Sequence, residues 1–141
     1  MIIREENRDL FTVPQGYYLA HCISNDFALG AGIAKQFNEV YNMREKLHMF
    51  GKLACITVGE AFLIDNVFNL VTKEKAYQKP TYNDIEEAIY DMWCQMDELK
   101  ITKLAIPQLG CGLDRLDWRE VKQIIERIFK DTDVEILVCY I

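Results

Sequence analysis

Apolar and polar residues alternate along the chain in a way that predicts strands separated by amphipathic helices. Five apolar runs, each bounded by turn-forming or polar residues, are predicted to be buried strands. These runs are residues 16–23, 54–64, 67–72, 104–106 and 134–140. The second and third run are separated by Asp65 and Asn66, which favour a hairpin turn between two antiparallel strands.

Helices are predicted between these strands. Residues 30–41 are predicted to form a helix that begins at glycine, and residues 43–50 are predicted to continue as a shorter helix. The clearest helix begins at Thr81, whose spacing to Asp84 is that of a capping box. Its apolar face is formed by Ile85, Ala88, Ile89, Met92, Met96 and Leu99. Asp117 can cap a last helix, whose inner side would carry Val121, Ile124, Ile125, Ile128 and Phe129. The order of elements predicts an α/β sandwich with a mixed central sheet flanked by helices.

Composition agrees with one globular domain over residues 1–141. Half of the residues are hydrophobic and 27% are charged. No apolar run approaches the roughly 20 residues of a membrane helix. The first residues turn acidic too soon for a signal peptide. We therefore expect a monomer without membrane contact, located in the cytoplasm, or in the nucleus if the source is eukaryotic.

Charge and cysteine content restrict the chemistry. The net charge is −6, which disfavours nonspecific binding of a nucleic-acid backbone. The five cysteines include no C-x-x-C pair, and two histidines complete no metal-ligand spacing. We expect no metal and reduced thiols packed in or near the core. An anion site built from backbone N–H groups is compatible with an acidic chain, because those groups carry no net charge.

Two glycine loops are the most informative segments. Residues 24–34 and residues 107–114 each follow a predicted strand, contain G-x-G and precede a helix. Glycine permits positive φ and close approach of backbone to a ligand, so such loops can cradle phosphates. For a single loop, a tight turn is the simpler interpretation. For the two loops together, a diphosphate site is as good an interpretation as two tight turns. Neither loop matches the phosphate-binding motif of nucleoside triphosphatases or the full dinucleotide-binding fingerprint.

At these loops the sequence resembles the macrodomain family over nearly its whole length. Within that family it is most similar to the terminal ADP-ribose protein glycohydrolase branch. The similarity is carried by Asp9-Leu10-Phe11, His21-Cys22-Ile23-Ser24, Gly30-Ala31-Gly32-Ile33-Ala34, Thr72-Lys73, Lys79-Pro80-Thr81-Tyr82 and Gly110-Cys111-Gly112-Leu113-Asp114-Arg115-Leu116. The resemblance implies a macrodomain-type sandwich that binds ADP-ribose without a cofactor.

The resemblance also implies a role for individual residues. Asp9 would accept a hydrogen bond from the adenine amino group beside Leu10, and Tyr140, or Cys139 in the alternative register, would flank the adenine. The distal ribose and one phosphate would be held by Ser24, Gly30, Ala31, Gly32, Ile33 and Ala34. The diphosphate would be wrapped by Gly110, Cys111, Gly112 and Leu113. Lys73 would be the nucleophile and Asp114 the acid/base.

The chemistry implied for Lys73 is attack of a neutral amine on the aldehyde carbon of a ring-opened ribose, which partial burial would favour. Asp114 would protonate the leaving group and assist breakdown of the lysyl adduct. The substrates would be ADP-ribosylated acidic side chains of proteins and related esters such as O-acetyl-ADP-ribose. Considered alone, Lys73 would be a solvated strand-end lysine and Asp114 a turn residue, so this assignment depends on the resemblance.

Two other functions stay open. The chain could be a non-catalytic module that binds ADP-ribose, or it could act on ADP-ribosylated nucleic-acid bases. The second alternative needs a basic rim, which could consist of Lys73, Lys75, Lys79 and Arg115. The family pattern also differs at two places, since an asparagine-rich segment is replaced by residues 21–24 and a glycine by Arg8. We assign no role to His21, which we expect in the core, and we interpret Cys111 as a small loop side chain.

Overall fold

A six-stranded mixed sheet forms the centre of the protein, which the computed structural model describes over residues 1–141. Its strands are β1 (Ile2–Asn7), β2 (Tyr18–Ser24), β3 (Ala61–Ile64), β4 (Val67–Lys73), β5 (Lys103–Ile106) and β6 (Glu135–Tyr140). Across the sheet their order is β1-β6-β5-β2-β4-β3. All neighbours are parallel except β3, which pairs with β4 in antiparallel register through the predicted hairpin. Parallel pairing brings the carboxyl ends of five strands to one edge.

Helices cover both faces of the sheet. They are α1 (Gly32–Tyr41), α2 (Met43–Lys46), a π-helical turn (Leu47–Gly51), α3 (Lys52–Ala54), α4 (Tyr82–Leu99) and α5 (Trp118–Phe129), with a 3-10 turn at Leu10–Thr12. On one face, α4 and α5 bury side chains such as Met92 and Phe129 together with Phe68 of β4. On the other face, Phe37 and Met43 belong to a second apolar cluster. The predicted sandwich is therefore confirmed. None of the helices has the length together with the apolar character that crossing a membrane requires.

The start of each long helix is fixed by the predicted cap. The hydroxyl of Thr81 accepts a hydrogen bond from the Asp84 N–H at 3.1 Å, and the Asp84 carboxylate accepts one from the Thr81 N–H at 3.2 Å. This is the predicted capping box, which satisfies two otherwise unpaired backbone donors. At α5, the Asp117 carboxylate accepts a hydrogen bond from the Arg119 N–H at 2.9 Å. Both caps stabilise helices that bound the carboxyl edge of the sheet.

The predicted strand at residues 54–64 is wrong for its first half. The chain is helical to Ala54, Cys55 has a left-handed φ of 52°, and only Ala61–Ile64 is extended. Between them a turn forms because the N–H and hydroxyl of Thr57 both donate to the Glu60 carboxylate, at 2.6 and 2.7 Å. Gly59, with φ of 93°, supplies the second left-handed position that this turn uses.

Three further details differ from the sequence pattern. Strand β1 is not predicted by it, because this edge strand leaves Ile2 exposed and carries charged residues. Leu99 does not continue the buried face of α4, since it is the last helical residue and is 55% exposed. The five thiols are all free, but only Cys139 is buried and Cys22 and Cys111 are half-buried. Cys55 and Cys94 are exposed, contrary to the prediction of packed thiols.

Candidate active site

A cavity of about 910 Å³ opens at the carboxyl edge of the sheet. Its walls are the two glycine loops, the segment after β4, and the ends of β1 and β6. Every residue predicted for the site lines this one cavity, from Asp9 and Tyr140 to Lys73 and Asp114. The fold thus brings together residues that are far apart in sequence, while their individual roles in binding stay predictions.

The first glycine loop is held in a strained conformation by its own buried side chains. Phe27 and Leu29 have left-handed φ angles of 54° and 43°, although neither is glycine. Both side chains are 5% exposed and belong to the apolar cluster beside α1, which offsets the backbone strain. No side chain caps α1, whose N-cap is Ala31. The first N–H groups of this helix are therefore available to an anion.

The second glycine loop requires glycine at one position and leaves space at another. Gly110 has φ of 71°, and a Cβ there would lie 2.6 Å from the Cδ1 of buried Ile85. Around Gly112, by contrast, no atom lies within 4 Å of an added Cβ. Leu113 is 72% exposed, and its Cδ1 is 3.3 Å from the Cβ that residue 32 would carry. The side chain of Leu113 in the second loop therefore lies against Gly32 in the first, and both loops line the same cavity.

Lys73 and Asp114 form an ion pair at one end of the cavity. The Lys73 Nζ lies 2.6 Å from the Asp114 Oδ1, and the two side chains are only 14% and 17% exposed. Lys73 is the last residue of β4, and Asp114 is the last residue of the second glycine loop. The predicted partial burial of this lysine is thus present. The arrangement places an amine and a carboxylate within hydrogen-bond distance of each other at this end of the cavity.

A register shift between β2 and β4 determines where Lys73 stands. Ile23 pairs with Val71, but Ser24 pairs with Lys73, so Thr72 has no partner on β2. The strand nevertheless stays anchored, because the Asn25 N–H donates to the Lys73 carbonyl at 2.8 Å. One extra residue in a strand alters the direction of the side chains that follow it. Lys73 therefore reaches the ion pair from a bulged strand end.

Asp26, which the sequence pattern does not single out, does not line the cavity but holds residues that do. Its carboxylate accepts hydrogen bonds from the Ser24 hydroxyl at 2.5 Å, the Ala28 N–H at 3.3 Å and the Ala76 N–H at 3.0 Å. Burial raises the pKa of Asp26, but these hydrogen bonds and nearby Lys75 together lower it below its usual value. The available signal was an aspartate two residues beyond a strand end, where side chains often accept backbone hydrogen bonds.

At the opposite end of the cavity, β1 and β6 deliver the residues predicted to meet adenine. The Asp9 Oδ1 accepts a hydrogen bond from the Phe11 N–H at 2.9 Å, which caps the 3-10 turn that contains Leu10. The Arg8 N–H donates to the Tyr140 carbonyl at 3.0 Å and joins the two segments. Tyr140 is 42% exposed, whereas Cys139 is 4% exposed, so Tyr140 offers the larger accessible side chain.

Two thiols and one imidazole near the cavity are held in their neutral forms. Burial raises the pKa of Cys22 to about 12 and that of Cys111 to about 11, so neither thiol supplies a thiolate. Burial lowers the pKa of His21 to about 4, although its hydrogen bond to Asn69 opposes this change. The His21 ring stacks on Phe37 with centroids 4.0 Å apart. As predicted, His21 is a core residue. No group of three or more acidic, thiol or imidazole side chains is arranged to hold a metal ion.

Comparison with known proteins assigns this architecture to a family. The Macro domain family model matches residues 19–125. The ADP-ribose glycohydrolase OARD1 of Homo sapiens is 37% identical over 134 residues, which cover 92% of this chain and 86% of that protein. The DNA ADP-ribosyl glycohydrolase of Thermus aquaticus is 28% identical over 120 residues, covering 77% of this chain and 32% of that protein.

Among solved structures, the macrodomain of Thermus aquaticus DarG superposes with a TM-score of 0.89 at 25% identity, covering 99% of both chains. This similarity extends from the sheet to the loops that form the cavity, because almost no residue of either chain lies outside it. The chain therefore belongs to the macrodomain family, and its relatives agree with the glycohydrolase branch that the sequence motifs predict.

Proposed function

We propose that this macrodomain is an ADP-ribosyl hydrolase that removes mono-ADP-ribose from ester linkages on acidic side chains. The observation that carries the proposal is the ion pair of Lys73 and Asp114, 2.6 Å apart at the mouth of a cavity walled by two glycine loops. A cavity of about 910 Å³ lies within the usual range for small-molecule sites. The similarity to ADP-ribose glycohydrolase OARD1 supports the same reaction class.

In the proposed complex the ligand spans the cavity from end to end. The adenine lies beside Asp9 and Tyr140. The diphosphate accepts hydrogen bonds from backbone N–H groups at the start of α1 and in the second glycine loop. The distal ribose then lies near Ser24, with its anomeric carbon facing Lys73. Because backbone groups supply the anion site, the acidic net charge of −6 does not prevent binding of a diphosphate.

The first half of the reaction releases the carboxylate. A proton moves from the Lys73 ammonium to the Asp114 carboxylate, which leaves a neutral amine and a neutral acid. Because the ester oxygen occupies the anomeric carbon, the ring cannot open to the predicted aldehyde before the ester is cleaved. The amine therefore attacks the anomeric carbon of the closed ring and forms a C–N bond, while the C–O bond to the target breaks and its electron pair leaves with the target carboxylate. Asp114 protonates that leaving group and then takes one proton from the new lysyl nitrogen. The product is a glycosylamine on Lys73.

The second half consumes water and restores the enzyme. Asp114 returns its proton to the ring oxygen as the ring C–O bond opens, which yields a protonated imine of the sugar aldehyde on Lys73. Water adds to the imine carbon and gives a proton to Asp114, forming a carbinolamine. Asp114 then protonates the nitrogen, the C–N bond breaks, and the hydroxyl proton passes back to Asp114. One water is consumed, ADP-ribose is released, and the ion pair forms again.

Substitution of Lys73 tests this proposal. Lys73→Ala is expected to remove turnover of a glutamate-linked ADP-ribosyl peptide and to keep binding of free ADP-ribose. A matched control is Lys46→Ala, because Lys46 forms a similar pair with Asp65, 2.7 Å apart, at the opposite end of β4. Borohydride reduction during turnover should attach ADP-ribose covalently to the wild-type chain at Lys73. Full activity of Lys73→Ala would exclude the lysyl mechanism and indicate another catalyst. Binding of ADP-ribose without any turnover by the wild-type chain would favour a non-catalytic binding module.

A second candidate target is an ADP-ribosylated nucleic-acid base. It is favoured by the similarity to the DNA ADP-ribosyl glycohydrolase of Thermus aquaticus and by the exposed cations Lys75, Lys79 and Arg115 around the cavity mouth. The same adduct could release a base as the leaving group. Parallel hydrolysis of thymine-linked DNA and glutamate-linked peptide, at equal concentration and fixed salt, distinguishes the two targets.

A further inference from the structure

A second concavity of about 500 Å³ lies beside the large cavity. Its lining residues are Val58, Lys73, Glu74, Gln78, Lys79 and Asp84. Three of them, Lys73, Gln78 and Lys79, also line the large cavity. Lys73 thus stands at the boundary between the two spaces. We call the second one the side groove.

Backbone and cap interactions hold the walls of the side groove in place without a ligand. The Lys75 N–H donates to the Gln78 Oε1 at 2.9 Å, and the Gln78 N–H donates back to the Lys75 carbonyl at 3.0 Å. Asp84 is fixed by the capping box of α4. These interactions pre-form the groove, which lowers the entropy lost when a chain segment enters it.

The charges of the side groove have both signs. Lys73 is already paired with Asp114, so the charges that face the groove are those of Glu74, Lys79 and Asp84. Lys79 makes no ion pair, and Glu74 has only a hydrogen bond of 3.4 Å from Asn25. A polyanion would bring its phosphates against two carboxylates, whereas a polypeptide can present both charge types. Electrostatic complementarity therefore favours a polypeptide with a basic residue near Glu74.

We propose that the side groove binds the segment of the target polypeptide that flanks the ADP-ribosylated side chain. This inference rests on the proposed function, because the hydrolysed bond must lie next to Lys73, with ADP-ribose in the large cavity. The leaving group then emerges on the other side of Lys73, where the side groove begins. The groove thereby makes the local sequence of the target a determinant of specificity, with Glu74 and Lys79 as its charged contacts.

Binding of defined peptides tests the proposal without relying on turnover. Two glutamate-linked ADP-ribosyl peptides, one with lysine and one with aspartate beside the modified residue, are titrated calorimetrically into Lys73→Ala protein, which keeps them intact. The lysine peptide is expected to bind ~2- to 5-fold more tightly, because an ion pair exposed to solvent contributes only this much to affinity. Adding Glu74→Lys should reverse this preference. Glu98→Lys makes the same charge change on α4, about four turns beyond the groove residue Asp84, and should leave the preference unchanged.

The outcomes separate this proposal from the proposed hydrolysis. Equal affinity of both peptides and free ADP-ribose would overturn the groove proposal, even if the wild-type chain hydrolyses them. A peptide preference that reverses in Glu74→Lys, without any turnover by the wild-type chain, would support the groove and contradict the hydrolase. Tighter binding of a thymine-linked oligonucleotide, strengthened by Glu74→Lys and weakened by Lys79→Glu, would show that the groove holds nucleic acid instead.

Discussion

Asp26 accepts a hydrogen bond from the backbone N–H of Ala76 at 3.0 Å, and so joins the first glycine loop to the segment that follows Lys73. The same carboxylate orients the hydroxyl of Ser24, which lies next to Lys73 in the paired strands. The first glycine loop and the strand end that carries Lys73 are therefore connected through one side chain. In the proposed complex, a change in this connection is expected to alter the position of the Lys73 amine relative to the ribose.

Asp26→Ala is expected to lower kcat by about 10- to 100-fold, because a displacement of roughly 1 Å has effects of that size on reactions between positioned groups. The affinity for ADP-ribose should change much less, since most of the cradle consists of other residues. Asp26→Asn should fall between the wild type and Asp26→Ala, because its amide oxygen can still accept hydrogen bonds. The measurement is steady-state kinetics together with calorimetry. Equal losses in binding and kcat would indicate a general structural role.

Asp114→Asn separates formation of the lysyl adduct from its breakdown. An amide cannot donate and recover protons, which both halves of the reaction require and the second half requires repeatedly, so kcat should fall by about 10²- to 10⁴-fold. Any adduct that forms should accumulate. Mass spectrometry after borohydride reduction should therefore find a larger trapped fraction per turnover than in the wild type. If less adduct is trapped while turnover continues, Asp114 acts only before the carboxylate leaves.

The second glycine loop provides a matched pair of substitutions. Gly110→Ala would require a left-handed alanine and bring Cβ within 2.6 Å of the Ile85 Cδ1, so the free energy of unfolding should fall by about 2–4 kcal/mol. Gly112→Ala meets no atom within 4 Å and should change stability by less than about 0.5 kcal/mol. Chemical denaturation measures both. Similar stability of the two variants would show that the loop relaxes around the new methyl group.

Burial of His21 makes stability depend on pH above the range in which carboxylates titrate. The folded chain keeps this imidazole neutral, with a pKa of about 4, while the unfolded chain binds a proton near pH 6.5. The stabilising contribution is thus complete above pH 6.5 and is lost as pH falls toward 4. Between pH 7 and pH 5 the free energy of unfolding should fall by about 2 kcal/mol.

His21→Gln is the reference for this pH effect, since glutamine can still donate to the Asn69 Oδ1 that lies 2.6 Å from the His21 Nε2. Denaturant titrations at both pH values should show a smaller pH dependence in the variant, whatever its absolute stability. An unchanged dependence would assign the effect to other groups. The Asp26 contribution is separable, because its lowered pKa makes that stabilisation disappear only as pH falls below about 3.8.

The sequence predicts the buried parts of the fold well because burial leaves a periodic pattern. The apolar face of α4 and the caps at Thr81 and Asp117 are visible as spacings of three and four residues. Strand β1 leaves no such pattern, since its pairing with β6 depends on backbone hydrogen bonds that are independent of side chains. The turn at residues 57–60 is held by the Glu60 carboxylate together with the left-handed Gly59, and it overrides an apolar stretch.

The site, like the fold, has some features that the sequence reveals and others that only the structure reveals. The glycine loops are recognisable because close approach and left-handed φ restrict the residue types, as at Gly110. The partnership of Lys73 and Asp114 is not visible in their spacing, because it depends on the order of strands in the sheet. Asp26 is harder still, since its partners at Ala28 and Ala76 are backbone groups, which every residue possesses. The family resemblance identifies Lys73 and Asp114, whereas the contacts of Asp26 are identified only in the structure.

The unpaired Thr72 has a consequence for protein engineering. Thr72 is buried, its hydroxyl donates to the Ile23 carbonyl at 3.5 Å, and as the extra residue of the bulge it sets the reach of Lys73. A chain that lacks this single residue would pair Ser24 with a lysine turned toward the other face of the sheet. Both glycine loops would be unaltered in sequence. We expect such a deletion to abolish hydrolysis and to keep the binding of ADP-ribose, although every residue that is predicted to contact the ligand is retained.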